Sequence, residues 1–234
     1  AFAWDGLDEP LQIVRKKVKL PWEHIDWRDF SAANREERLR GLLKADRIRG
    51  FKLAAAPLMR GTLIRIADDE NIFIWTYHHL LLDGWCLGLI MKEVSIFYEA
   101  ISRGEEPQLE PTRPYRDYIA WLQKRNGPKS ETYWRRILKG YTSPLHLMVD
   151  QNPGEVSEPG IHYARKLALS ESTTEALSSL ARSGQMTLYS LIQGAWAILL
   201  SQYSGESDLV FGVTVSGRPT ELAGVQSMIG MFIN

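Results

Sequence analysis

The sequence predicts a mixed α/β or α+β protein of two lobes. Three observations predict it. β-Rich and helical segments follow one another in irregular order, an early pair of apolar β-branched segments flanks a polar loop, and later strand-like segments are separated by long helical crossovers. The chain has 234 residues, room for one large domain or two small ones at roughly 150 residues each. Residues 141–160, rich in Pro, Gly and Ser without a sustained period, are expected to link an N-terminal lobe, 1–140, to a C-terminal lobe, 161–234. Hydrophobic residues make up 44% and charged residues 24%, which places the chain among globular rather than disordered proteins.

The elements follow in order. LQIVRKKVKL alternates aliphatic and basic residues, which predicts a strand with Val14, Val18 and Leu20 on one face and the lysines in water. From Ser31, Leu39, Leu42 and Leu43 recur at helical spacing in a charged stretch closed by Gly50, a surface helix. LMRGTLIRIA and IFIWTY, separated by Asp68-Asp69-Glu70-Asn71, form a hairpin whose second strand delivers His78 and His79 at its end. After LLLDG, the stripe Leu87, Ile90, Val94, Phe97 and Ile101 predicts a helix directly behind the histidine loop. PYRDYIAWLQKR, with Pro114 in its first turn, and SETYWRRILKG, stopped by Gly140, are two more helices. Beyond the linker, HYARKLALS reads as a strand and STTEALSSLARSG as a capped helix. TLYSLIQGAWAILLSQYSG is a mostly apolar, hence buried, helix, and DLVFGVTVSGRP a strand ending in a tight turn.

Composition excludes several functions. Lys+Arg and Asp+Glu are 28 each, so no global field steers the chain to nucleic acid or to an anionic membrane. The single cysteine, Cys86, forbids an internal disulfide framework and a multi-thiolate metal site, and suits a cytoplasmic setting. No apolar run approaches the roughly 18 residues that span a bilayer, and the N-terminus lacks the pattern of a signal peptide. The chain begins without Met in what reads as mid-strand and ends on MIGMFIN, so it is expected to be a piece of something longer.

The chemistry concentrates in His78-His79-Leu80-Leu81-Leu82-Asp83-Gly84. A neutral imidazole can take a proton from a nucleophile and return it to a leaving group near neutral pH. Neighbours at a strand end point in opposite directions, so one histidine faces a cleft and the other the interior. Asp83 either orients the imidazole or, paired with an arginine, braces the loop from behind. Gly84 turns the backbone into the helix with no Cβ in a substrate's way. As bare residue types, the set is also compatible with two metal ligands and a carboxylate, but zinc wants three or four ligands and His24, His146 and His162 are scattered. Cys86, in an apolar helix, reads as a buried and inert thiol rather than a nucleophile. Tyr118 and Trp121 read as core, and the aromatic residues as packing rather than a platform for bases.

HHLLLDGW resembles the His-His-x-x-x-Asp-Gly signature of the condensation domains of nonribosomal peptide synthetases, within the chloramphenicol acetyltransferase-like superfamily. Tyr115-Arg116-Asp117-Tyr118-Ile119-Ala120-Trp121 is similar to that family's Tyr-x-Asp-(Phe/Tyr)-Ala-x-Trp motif. Ser216-Gly217-Arg218-Pro219 follows a strand-like segment, and Ile229-Gly230-Met231-Phe232-Ile233-Asn234 matches the opening of the family's Ile/Val-Gly-x-Phe-Val/Ile-Asn-Thr motif. AFAWDGLDEPLQ, ETYW and GAWAILLSQYSG also read as that family, so the likeness spans the chain. The family's first two motifs would precede residue 1 and the last is cut short, so the two-lobed fold is expected to be incomplete here.

The resemblance implies amide formation between an aminoacyl or peptidyl thioester on one carrier protein and an aminoacyl amine on another. It implies upstream and downstream peptidyl carrier proteins and an adenylation domain in the same polypeptide as partners. It also implies no cofactor or metal of the domain's own, the phosphopantetheine arms belonging to the carriers. Carried over, His79 is the cleft-facing histidine and His78 its structural neighbour. Asp83 is braced by Arg218 or, second, by Arg165, Gly84 offers a backbone N–H to the intermediate, and Ser216 and Asn234 line the tunnel. His79 acts as a base or by positioning; the residues do not separate the two. The AFAWDGL opening and the Asp-Gly-Trp-Cys continuation resemble condensation domains that accept an L-configured donor. A related epimerase, a coenzyme A-dependent acyltransferase, a non-catalytic recruitment module and an inert truncated piece are the alternatives.

Overall fold

The computed structural model describes residues 1–125, 127–142, 145, 147 and 166–233. The chain forms two compact units, Ala1–Asn126 with Thr214–Asn234, and Gly127–Val213. The segment expected to link two lobes, 141–160, lies almost wholly outside the described residues, whereas the stretch from Thr214 onward packs with the first unit.

In the first unit, β1 (Phe2–Ala3) pairs antiparallel with β2 (Leu11–Gln12), and a second sheet has the order β3 (Trp22–Asp26), β4 (Met59–Arg65), β5 (Asn71–Tyr77). β3 and β4 are parallel and therefore need a crossover, which α1 (Ala32–Arg49) supplies. Ser31 starts that helix by accepting a hydrogen bond from the Asn34 amide at 3.4 Å, and Gly50, at φ +54°, ends it in a conformation that favours glycine. β4 and β5 form the expected hairpin, running from Met59 opposite Tyr77 to Arg65 opposite Asn71. Its loop is closed by the Ile66 and Ala67 amides, which both donate to the Glu70 carbonyl.

α2 (Gly84–Ser102) and α3 (Arg116–Gln123) follow. Tyr118 on α3 packs with Leu222, Val225, Met228 and Phe232 in a buried cluster flanked by Tyr115 and Trp121. Met228 and Phe232 are 0% and 1% exposed. Burying side chains of this size stabilises by about 1.5–3 kcal/mol each, so this cluster fastens the 222–232 segment beneath the start of α2. The second unit contains α4 (Gly127–Ile137), α5 (Glu171–Ser183) and α6 (Leu188–Ser204). Ser170 and Thr187 cap α5 and α6 by accepting from the Thr173 and Ser190 amides.

Four expectations need correction. LQIVRKKVKL is not a strand beyond Leu11–Gln12: Ile13 still exchanges hydrogen bonds with Ala1, where the chain on that side begins, but Val14 is 87% exposed, and the sheet strand starts later, at Trp22. DLVFGVTVSGRP forms no strand; among the described residues its one bridge joins Ser216 to Ile233. The described part of HYARKLALS, Lys166–Ser170, is likewise irregular. Helix α6 is not buried within its unit. Only Leu200 is fully covered while Ile192, Trp196 and Ile198 are exposed, because α5 covers a single side of a helix that is apolar all round.

Candidate functional site

The site is built where the hairpin hands the chain to α2. The His78 amide extends the β4–β5 ladder by donating to the Leu58 carbonyl at 2.9 Å. The chain then makes a 3₁₀ turn over His79–Leu81, capped by His78 itself, whose Nδ1 accepts from the Leu80 amide at 3.1 Å. That bond requires Nδ1 to be unprotonated. The two histidines diverge: the His78 ring is half-buried and edge-on to Phe51, and His79 is exposed. The next residue inward, Leu82, is 1% exposed and pins the end of the turn.

Asp83 closes the turn and caps α2, Oδ1 accepting from the Cys86 amide at 3.2 Å and Oδ2 from the Phe232 amide at 3.2 Å. Its own amide donates to the Gly230 carbonyl at 3.3 Å. The Arg218 guanidinium lies 3.6 Å from Oδ1, with side-chain exposures of 1% for Arg218 and 6% for Asp83. Burial pushes the Asp83 carboxyl up, but the hydrogen bonds from Cys86 and Phe232 and the charge of Arg218 outweigh it and hold the group below the usual carboxylate range. Both carboxylate oxygens are thus committed to the scaffold, and no hydrogen bond joins Asp83 to His79 among the described residues.

Arg218 is sealed in. Nη1 donates to the Val225 and Met228 carbonyls, Nη2 to the Cys86 sulfur at 3.2 Å, and Cζ stacks 3.8 Å from the centre of the Phe232 ring. Its Nε–H is buried without a hydrogen-bond partner among the described residues, a cost offset by the carboxylate and the ring face. Cys86, fully buried, also receives the Gly230 amide at 3.3 Å and donates to the Gly230 carbonyl at 3.2 Å. Burial pushes its thiol pKa up, the opposite of an activated nucleophile.

Of the residues singled out from sequence, the structure brings His78, His79, Asp83, Gly84, Cys86 and Arg218 into one neighbourhood. Gly84 is the first residue of α2 and exposed, and a Cβ built on it meets nothing within 4 Å. Ser216 is exposed, its Oγ accepting from the Arg218 amide at 3.4 Å. Arg165 and Asn234 lie outside the described residues.

Sequence reasoning did not find the parts played by Cys86, Tyr115, Gly217 and Gly230. Tyr115 donates its hydroxyl to the Met231 carbonyl, and burial, first among several causes, pushes its pKa up to about 12. A Cβ at Gly230 would lie 2.0 Å from the Tyr115 ring, and one at Gly217 would lie 2.0 Å from the Phe232 carbonyl oxygen. The motif glycines mark these close approaches, but only the three-dimensional pairing shows what approaches them. The described residues contain no cluster of His, Cys, Asp and Glu arranged to hold a metal, and no helix long and apolar enough to cross a membrane.

A family model for the condensation domain matches residues 1–234. A linear gramicidin synthase of Brevibacillus parabrevis is 43% identical over 234 residues, which are 100% of this chain and 4% of that protein. Surfactin synthase subunit 3 of Bacillus subtilis (strain 168) is 34% identical over 234 residues, 100% of this chain and 18% of that protein. Among solved structures, the epimerization domain from the third module of tyrocidine synthetase B matches with a TM-score of 0.76 at 20% identity, covering 100% of this chain and 53% of the other. The first condensation domain of the calcium-dependent antibiotic synthetase, in complex with a substrate analogue, matches with a TM-score of 0.71 at 18% identity, over 100% and 55%. The fold is therefore the α+β, chloramphenicol acetyltransferase-like one shared by condensation and epimerization domains. The chain belongs to the condensation-domain family, and it spans about half the length of these solved structures and a small part of the synthases.

Proposed function

We propose that this chain carries the catalytic loop of a peptide-bond-forming condensation domain, with His79 at the reacting centre. The amine nitrogen of an aminoacyl group on a downstream carrier attacks the thioester carbonyl carbon of an aminoacyl or peptidyl group on an upstream carrier. The C–N bond forms, the tetrahedral intermediate collapses, and the C–S bond breaks. The proton lost by the amine ends on the departing thiol. His79 has a place in this as the group that accepts that proton or holds the amine by a hydrogen bond, and positioning of this kind contributes several kcal/mol. Gly84, with open space where a Cβ would project, leaves room for a substrate arm beside the turn.

The observation that carries this reading is the division of labour within the motif. His79 is exposed on a turn anchored at both ends, while Asp83 is buried and spent on Arg218, Cys86 and Phe232. In this reading Asp83, Arg218 and His78 are structural supports, Ser216 and Asn234 line the substrate passage, and the phosphopantetheine arms belong to carrier proteins. An adenylation domain neighbours the chain in the same polypeptide, and the setting is cytoplasmic. The match to an epimerization domain, at 20% identity, speaks to fold and not to reaction.

The test is His79→Ala in the intact protein, with both carriers loaded and the product thioester read by mass spectrometry. Product is expected to vanish while carrier loading is unchanged. An undiminished yield removes His79 from the chemistry.

A further inference from the structure

The first histidine of the pair is itself held by a chain of contacts that begins at the far end of α1. Arg60 on β4 is 8% exposed and sits directly opposite Thr76 in the ladder. Its Nε donates to Asp46 Oδ1, its Nη1 to the Gly50 carbonyl at 2.9 Å and its Nη2 to the Asp46 carbonyl at 2.8 Å. Thr76 donates to Asp46 Oδ2 at 2.8 Å. The last turn of α1 is thereby locked onto the strand pair two residues before His78. The locked guanidinium lies with Cζ 4.3 Å from the centre of the Phe51 ring, a cation–π contact. Phe51 in turn meets His78 edge to face, with centroids 6.3 Å apart and planes at 82°.

Backbone bonds from the Leu81 and Leu82 amides to the His78 and His79 carbonyls close the turn, and the orientation of the His78 ring decides whether its first amide is capped. A half rotation about the Cβ–Cγ bond exchanges Nδ1 for a carbon and deletes the acceptor that the Leu80 amide uses. Among the described residues that amide has no second acceptor, and the turn it caps is the one that presents His79.

We propose that Phe51, clamped by Arg60 and Asp46, is a positioning residue that fixes the His78 ring and so the turn carrying His79. The inference deepens the reading of His79 as the reacting histidine and rests on it for the effect on turnover, but its structural half stands without that reading.

The test therefore uses two readouts on the full-length protein. Diethyl pyrocarbonate modifies unprotonated imidazole nitrogens, and tandem mass spectrometry assigns the label to His78 or His79. In the wild type His79 is expected to react much faster than His78, whose acceptor nitrogen is occupied. In Phe51→Leu the labelling ratio is expected to fall towards parity. Amide formation is expected to drop about tenfold in kcat with unchanged KM for the loaded carriers, the size of effect that slight misplacement of a reacting group produces. Phe51→Tyr, which keeps the ring, is expected to restore both. Arg60→Lys, which keeps the charge and loses the fork of hydrogen bonds, is expected to shift the ratio in the same direction as Phe51→Leu, and it serves as the second variant should Phe51→Leu melt early. A folded Phe51→Leu or Arg60→Lys protein with the wild-type labelling ratio overturns the proposal. If the wild type makes no amide, the assignment of His79 fails while the labelling ratio still judges the role of Phe51.

Discussion

Replacing Asp83 by Ala tests whether the carboxylate braces the loop. The substitution leaves the Arg218 guanidinium, with its side chain 1% exposed, without its counter-ion. Removing one partner of a buried ion pair typically costs about 3–5 kcal/mol. The same change strips α2 of its N-cap, worth about 1 kcal/mol, and leaves the buried Phe232 amide without its acceptor at 3.2 Å, about 1–3 kcal/mol. These contributions overlap because one carboxylate makes all three contacts, so the expected loss is about 4–6 kcal/mol rather than their sum. At about 2–4 °C per kcal/mol for a chain of this size, thermal melting should fall by roughly 10 °C or more. Asp83→Asn keeps an oxygen for the Cys86 amide and should lose less. A double variant, Asp83→Leu with Arg218→Met, should recover much of the loss, since a well-packed apolar pair often replaces a buried ion pair without penalty. Circular dichroism melts of the four proteins settle the matter. An Asp83→Ala protein that melts within about 2 °C of wild type yet forms no amide refutes the brace and moves Asp83 into the chemistry.

Two further outcomes follow. Gly217→Ala places a Cβ 2.0 Å from the Phe232 carbonyl oxygen, backbone that cannot swing aside, so destabilisation of about 2–3 kcal/mol is expected in urea melts, whereas Gly84→Ala, with nothing within 4 Å, should fold as well as wild type. Acid should weaken the first unit. Asp83 and Asp46 are both held below their ordinary range in the folded state despite burial, so their contribution is present above the unfolded value of about 4 and is lost as pH falls through the lower folded values. Melting temperature measured from pH 7 to pH 3 should drop below about pH 4, and Asp83→Asn should flatten that dependence.

Local signals in the sequence spoke truly where a short stretch decides its own structure. Ser31 and Gly50 bound α1 as their capping chemistry requires, the acidic loop after Arg65 makes the hairpin, and the stripe from Leu87 to Ile101 is the helix α2. Where a partner decides, the sequence misleads. Among the described residues, the alternation in LQIVRKKVKL finds no partner beyond Ile13, and the β-branched run from Asp208 finds only the bridge at Ser216. At the candidate site, the motif names His78, His79, Asp83 and Arg218 but says nothing of distance. The bonds from Arg218 to Cys86, and from Phe232 to Asp83, join residues 132 and 149 positions apart, and no period or spacing encodes such a closure. Phe51 and Arg60 are silent for the same reason: each is an ordinary residue of its segment until the fold stacks them.

That long closure gives the loop a history during synthesis. Asp83 leaves the ribosome 149 residues ahead of the amide that will bind its second oxygen. At about 5–20 residues per second the wait is roughly 10–30 s. Over that interval the charge has neither guanidinium nor capping amide from the distal stretch to satisfy it and must stay hydrated, so α2 is free to begin but its entry cannot be sealed. The nascent domain is thus most exposed to proteases and chaperones at the loop that carries the histidine pair.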